Sequence, residues 1–125
     1  MGKEIFGTYL RKLRLAKGLG LRSFAKQVGL LPSNLSAIES GRVSPPRHAD
    51  ALKRIAKGLG LSEDKPEWAK LFDLAAKPGQ VQADVQEYLS EIDAMDELPL
   101  MARTIKNQKL TKPQIQSLIR GLKHL

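Results

Sequence analysis

Apolar side chains recur at three- and four-residue spacing along most of this chain, while alternating β-branched runs are absent, so the pattern predicts helices throughout. Phe6, Tyr9, Leu10 and Leu13 share one face of a helix expected from about Ile5 to Lys17, with Gly18 at its C-terminal end. Leu21, Phe24, Ala25 and Val28 mark a second, shorter helix that ends at Gly29. Leu35 and Ile38 mark a third, which starts near Pro32, a residue suited to a first helical turn, and ends before Gly41. The stretch 42–47, RVSPPR, reads as a loop. A fourth helix from about His48 to Lys57 buries Leu52, Ile55 and Ala56, with Gly58 stopping it. Ser62 is a candidate cap for a fifth, roughly Pro66 to Ala76, with Trp68, Leu71, Phe72 and Ala75 inward.

Lys77-Pro78-Gly79-Gln80 interrupts this pattern and is the expected boundary between a domain at 1–77 and a helical region at 81–125. Val85, Leu89 and Ile92 then form a stripe on a helix from Val81 to Ile92, followed by an acidic turn at 93–97. A short helix runs from Pro99 to about Lys106. Thr111 and Gln114 have capping-box spacing, with Pro113 in the first turn of the last helix. Ile115, Leu118, Ile119, Leu122 and Leu125 line that helix with a stripe too apolar to be left in water. It must pack on its own chain or on another subunit.

Charge divides the chain more sharply than its net +8 suggests. Residues 1–60 carry 12 Lys/Arg against 3 Asp/Glu, residues 61–100 carry 3 against 10, and residues 101–125 carry 6 against none. A basic block that coincides with two short helices and a tight turn points to a phosphate-binding surface. The acidic block would repel DNA, so it should face away from it, or face the basic C-terminal block of its own or a partner chain. With no cysteine, a disulfide framework and a thiolate metal site are excluded. There is no apolar run of membrane-spanning length and no secretory signal, which makes a cytoplasmic protein without membrane partners the expectation.

The segment 21–42, LRSFAKQVGLLPSNLSAIESGR, has the arrangement of a helix-turn-helix, whose second helix is presented to a DNA major groove. Around it, LRKLRLAKGL at 10–19, FAKQVGL at 24–30, LSAIESGRVSPP at 35–46 and LKRIAKGLGL at 52–61 resemble the Cro/cI-type, or XRE family, of transcriptional regulators. The resemblance implies an all-α fold: a lambda-repressor-like five-helix DNA-binding domain, followed here by a small helical C-terminal dimerisation region. It also implies a homodimeric repressor on a palindromic double-stranded DNA operator, at its own promoter, with no cofactor.

Residue roles follow at matching positions. Arg14 and Glu39 correspond to an internal ion pair, which fits the need of a carboxylate among apolar residues for a partner. Ala25 matches the small residue where the second helix crosses the third. On the outward face of the third helix the resemblance places Ser33, Asn34 and Ala37, with Ser36 near the edge; Asn can read adenine and Ser either kind of base. Arg42 and Arg47 match basic loop positions that touch phosphates or the minor groove, and Arg22, Ser23 and Lys26 lie near the backbone path, with Lys12 a further basic residue. The chain departs from the family at Gly20 and Leu21, where Ser and Gln are common, and at Leu31, where Ser or Thr often caps the third helix. Pro32 and Ala37 replace longer polar side chains, so base readout is sparse and shape and basic flanks should contribute more.

The stretch 98–119, LPLMARTIKNQKLTKPQIQSLI, resembles tails of phage, plasmid or defence-island repressors that pair through a helical segment, some of them cut by a metallopeptidase. Ile115, Leu118, Ile119 and Leu122 are the expected dimerisation residues, and Arg103, Lys106, Lys109 and Lys112 could meet the acidic 84–97 stretch of a partner. The alternative from another class is an antitoxin-like module that sequesters a toxin and autoregulates its operon. No nucleophile–base pair, metal cluster or dinucleotide fingerprint has the right spacing: His48 and His124 are far apart, and the glycine pairs 18/20 and 58/60 follow helices rather than strands. An enzyme is therefore not expected.

Overall fold

The computed structural model describes residues 4–77 and 80–125, and Pro78 and Gly79 of the expected boundary lie outside them. Among the described residues the regular structure is eight helices and no strand: α1 (Phe6–Ala16), α2 (Leu21–Gln27), α3 (Pro32–Glu39), α4 (Ala49–Gly58), α5 (Pro66–Ala75), α6 (Ala83–Glu91), α7 (Glu97–Asn107) and α8 (Lys112–Leu122). They form two compact units, 1–87 and 88–125.

In the first unit the apolar stripes meet. α1 packs on α3 and α5, α2 on α3, and α4 on α5. Leu10, Phe24, Leu35, Leu52, Ile55, Leu71 and Phe72 are fully enclosed, and Ala25 lies buried where α2 meets α3. Trp68 stacks on Phe72 with ring centroids 5.3 Å apart and donates its indole N–H to Asp84 Oδ2 at 3.1 Å, so these two rings belong to the core. Part of the acidic block is used inside this unit: Asp84 accepts from Trp68, and Glu87 is ion-paired with Lys53 on α4. At the start of α1, Lys70 reaches Glu4 at 2.6 Å and lies 4.5 Å above the Tyr9 ring. The ammonium holds the exposed Glu4 carboxyl below its ordinary range.

α6 starts at Ala83 rather than Val81, α7 starts at Glu97 rather than Pro99, and two further helix ends differ from expectation for a packing or capping reason. α4 does not stop at Gly58 but includes it, and the chain turns at Gly60, whose φ is +76°. Gly58 serves packing instead, because a Cβ there would lie 2.8 Å from Val28 Cγ1 and 3.1 Å from Phe24 Cε1. Ser62 does not cap α5. Its hydroxyl donates to Asp64, and α5 begins at Pro66, which holds Lys65 in an extended conformation and has no N–H to satisfy. In the second unit, the N–H of Thr111 donates to Gln114 Oε1 at 2.8 Å, the returning half of a capping box.

Candidate nucleic-acid interface

The turn between α2 and α3 is built by a glycine. Gly29 has φ +77°, a left-handed conformation that lets the N–H of Leu30 return to Ala25 O at 2.8 Å and close α2. From α4, Arg54 Nε donates to Val28 O at 3.3 Å, a cation at the negative end of the α2 dipole. The third helix then starts abruptly. Leu31 is extended, Pro32 opens α3, and no side chain caps it. Its first-turn N–H groups are left to solvent or to an anion such as a phosphate.

The far end of α3 is anchored to α1. Arg14 Nε lies 2.7 Å from Glu39 Oε2 and Arg14 Nη2 lies 2.8 Å from Glu39 Oε1, a two-pronged pair with both residues buried. Arg14 Nη1 also donates to Leu19 O at 2.8 Å, so one guanidinium joins α1, the α1–α2 turn and α3. Gly7 allows the close approach beside it: a Cβ at Gly7 would stand 2.1 Å from Ile38 O and 2.7 Å from Glu39 O. After α3 the chain folds back, with Arg42 N and Val43 N both donating to Ala37 O, at 2.9 and 3.3 Å. Ser40 Oγ donates to the same carbonyl at 3.1 Å and accepts from Arg42 Nε at 3.0 Å, which fixes the side chain of Arg42 beside the C-terminal end of α3.

This frame distributes the expected contact residues unevenly. Ser33 and Asn34 are exposed on the first turn of α3, while Ser36 and Ala37 are only half-exposed. The open polar face of α3 thus narrows to Ser33 and Asn34. Arg22, Ser23 and Lys26 are exposed on α2, with Ser23 Oγ donating to Gly20 O at 3.4 Å, and Arg42 and Arg47 are exposed on the loop between α3 and α4. Four exposed cations, Arg22 and Lys26 on α2 and Arg42 and Arg47 on the loop after α3, thus precede and follow a helix with two small polar side chains at its tip. Such a surface suits phosphate contacts supplemented by light base contact.

Three residues have structural or surface roles that the sequence did not disclose. Leu31, noted there only as a missing cap, is 64% exposed at the N-terminal end of α3. Arg54 holds the end of α2, and Gly7 sets the α1–α3 distance. No sequence signal separates Gly7 from a solvent-facing glycine, because the contact is with the backbone of a distant helix. Among the described residues, no group of three or more His, Cys, Asp or Glu could hold a metal, and no helix is long and apolar enough to cross a membrane.

The helix-turn-helix domain family matches residues 5–68. Among solved structures, the crystal structure of the clp gene regulator ClgR from C. glutamicum is similar at 30% sequence identity and TM-score 0.44, over 62% of this chain and 91% of that one. No curated protein matches the chain.

Proposed function

From the premise that this chain belongs to the helix-turn-helix domain family, we propose that it is a sequence-specific DNA-binding transcriptional regulator, a homodimeric repressor of the Cro/cI type acting on a palindromic operator at its own promoter. The observation that carries this reading is the exposed first turn of α3, Ser33 and Asn34, together with the exposed Arg22, Lys26, Arg42 and Arg47 on the elements just before and after it. α3 enters the major groove with its N-terminal end toward the bases, and the arginines and lysine take the flanking phosphates. The DNA-binding domain spans 1–77. The region 81–125 pairs two copies through Ile115, Leu118, Ile119 and Leu122, and the protein works in the cytoplasm.

The test is a binding titration on DNA from its own upstream region against a random duplex, at several salt concentrations. The reading expects a site-specific complex whose affinity falls steeply with salt, and equal affinity for both duplexes overturns it. Arg42→Ala and Arg47→Ala each weaken binding to all sequences alike and reduce the salt slope by about one. Asn34→Ala changes base preference at one position of each half-site, at a cost of about 1–3 kcal/mol.

Leu31 adds a prediction of its own. An exposed leucine at the reading end of α3 suits contact with a thymine methyl group. Leu31→Ala weakens binding to the preferred site by about fourfold, roughly one methyl group of transfer free energy, and replacing thymine by uracil in that site has the same effect on the wild type. An undiminished affinity for the uracil duplex at every position rules this contact out.

The second reading is an antitoxin-like module, favoured by the exposed apolar side chains of α7 and α8. It expects a toxin to co-purify with the protein expressed from its native locus. A stable homodimer with no such partner counts against it.

A further inference from the structure

Residues 88–125 fold into helices without an enclosed core: Leu89, Leu98, Ile105, Leu110 and Ile115 are half-buried and none is buried, although the segment contains one end of α6 and all of α7 and α8. Tyr88, Leu118 and Leu122 are 60%, 56% and 63% exposed. Two apolar features remain open. One is a groove of about 420 Å³ lined by Leu89, Ala94, Leu98 and Met101, with Glu97 on its wall. The other is the stripe Ile115, Leu118, Ile119 and Leu122 on α8, of which Ile115 is half-buried and the rest exposed. A unit of this size seldom assembles a sufficient core by itself.

The charges repeat the pattern. Glu91, Asp93, Asp96 and Glu97 lie in the segment that forms the groove, while Lys112, Arg120 and Lys123 lie on or directly after α8. Among the described residues, none of these seven takes part in an ion pair within the chain, whereas the three pairs that do form all lie in the first unit. One copy therefore carries an unfilled apolar groove in an acidic segment and an unshielded basic apolar helix. A two-fold arrangement of two copies satisfies both at once, since each copy supplies what the other lacks.

We propose that the occupant of the groove is α8 of a second copy, exchanged reciprocally, so that residues 88–125 gain their core only on pairing and their folding and association are one transition. This rests on the reading that the C-terminal region pairs two copies, and it adds which surfaces meet and what selects them. The apolar stripe supplies the burial and the acidic and basic segments set the orientation. Salt weakens the pair, and dilution unfolds the second unit while leaving the first intact.

The experiment uses the full chain in two charge-reversed forms. One carries Glu91→Lys, Asp96→Lys and Glu97→Lys, and the other carries Lys112→Glu, Arg120→Glu and Lys123→Glu. Sedimentation equilibrium is expected to show each form self-associating at least about tenfold more weakly than wild type, and the equimolar mixture restoring a dimer of near wild-type affinity. Amide hydrogen exchange on the wild type should show protection of 97–122 rising with protein concentration while protection of 6–75 stays constant. Both variants leave the first unit untouched, and the enclosed Trp68 reports on its folding in every sample. A wild type that stays monomeric with 97–122 protected at all concentrations overturns the pairing itself, and the inference with it. A wild-type dimer whose charge-reversed forms still pair with themselves, or fail to pair with each other, overturns the exchange alone and leaves the dimer reading standing.

Discussion

Glu39→Leu lowers the stability of the first unit by about 3–5 kcal/mol, as expected for removing one partner of a buried ion pair and leaving the other charge enclosed. For a domain of this size the total stability is roughly 4–12 kcal/mol, so the variant is expected to be largely unfolded or to melt tens of degrees lower. Arg14→Met has the same consequence with an added loss, because Arg14 also donates to Leu19 O at 2.8 Å. Arg14→Lys does not rescue, since an ammonium cannot serve Nε and Nη2 contacts 2.7 and 2.8 Å long to the two carboxylate oxygens together. The double variant Arg14→Met/Glu39→Leu should lose less than either single one, because two apolar groups replace two mutually compensating charges. Chemical denaturation of the four proteins measures the coupling directly, and additive losses would show that the pair contributes nothing as a pair. The identity of Glu39 as a structural residue matters for function as well. It lies in the most recognisable stretch of the motif but is enclosed, and its loss is expected to abolish DNA binding only by releasing α3.

Gly7→Ala is expected to cost at least about 3 kcal/mol, despite adding a better helix former. The new methyl would lie 2.1 Å from Ile38 O, 2.7 Å from Glu39 O and 2.9 Å from Glu39 C, all backbone atoms, so no side chain can yield. α1 and α3 must separate, and the Arg14–Glu39 pair beside them must lengthen. Gly121→Ala is the control. It lies within α8 with nothing within 4 Å of its would-be Cβ, and it should stabilise that helix by about 0.5–1 kcal/mol. Thermal melts followed by circular dichroism distinguish the two cases, and a Gly7→Ala protein as stable as wild type would show that α1 can shift at no cost.

These two glycines illustrate where sequence reading reaches and where it stops. The first five helices were legible to within two residues at each end, because the apolar stripes of Phe6 to Leu13, Leu35 to Ile38 and Trp68 to Phe72 have helical period, and Gly18, Gly29 and Gly41 with Pro32 and Pro66 punctuate them. The polar tip of α3 was legible too: Ser33 falls opposite Leu35 and Ile38, and Asn34 lies in the open first turn that Pro32 begins. The packing role of Gly58 was not legible, since a glycine after a helical pattern reads equally as a stop and as a close contact. The half-burial of Ala37 was also hidden: it follows from residues 40–43 folding back onto its carbonyl. The allocation of the acidic block was hidden for the same reason. Only the fold brings Asp84 to Trp68 and Glu87 to Lys53, so that among the described residues the acidic side chains from Glu91 to Glu97 have no ion pair.

By itself, then, the sequence determined the helices, the position of the turn at Gly29 and the separation of charge into basic, acidic and basic blocks. These are local properties, set by side-chain period, by backbone conformation at single residues and by composition. The tertiary structure decided which side chains of the motif are frame and which are surface. It placed Arg14 and Glu39 inside and Ser33, Asn34, Leu31 and Arg42 outside, it required Gly7 at the α1–α3 crossing, and it left the groove and the α8 stripe of residues 88–125 uncovered. Those outcomes depend on distances between residues far apart in the chain, such as the 25 positions that separate the two ends of the buried ion pair.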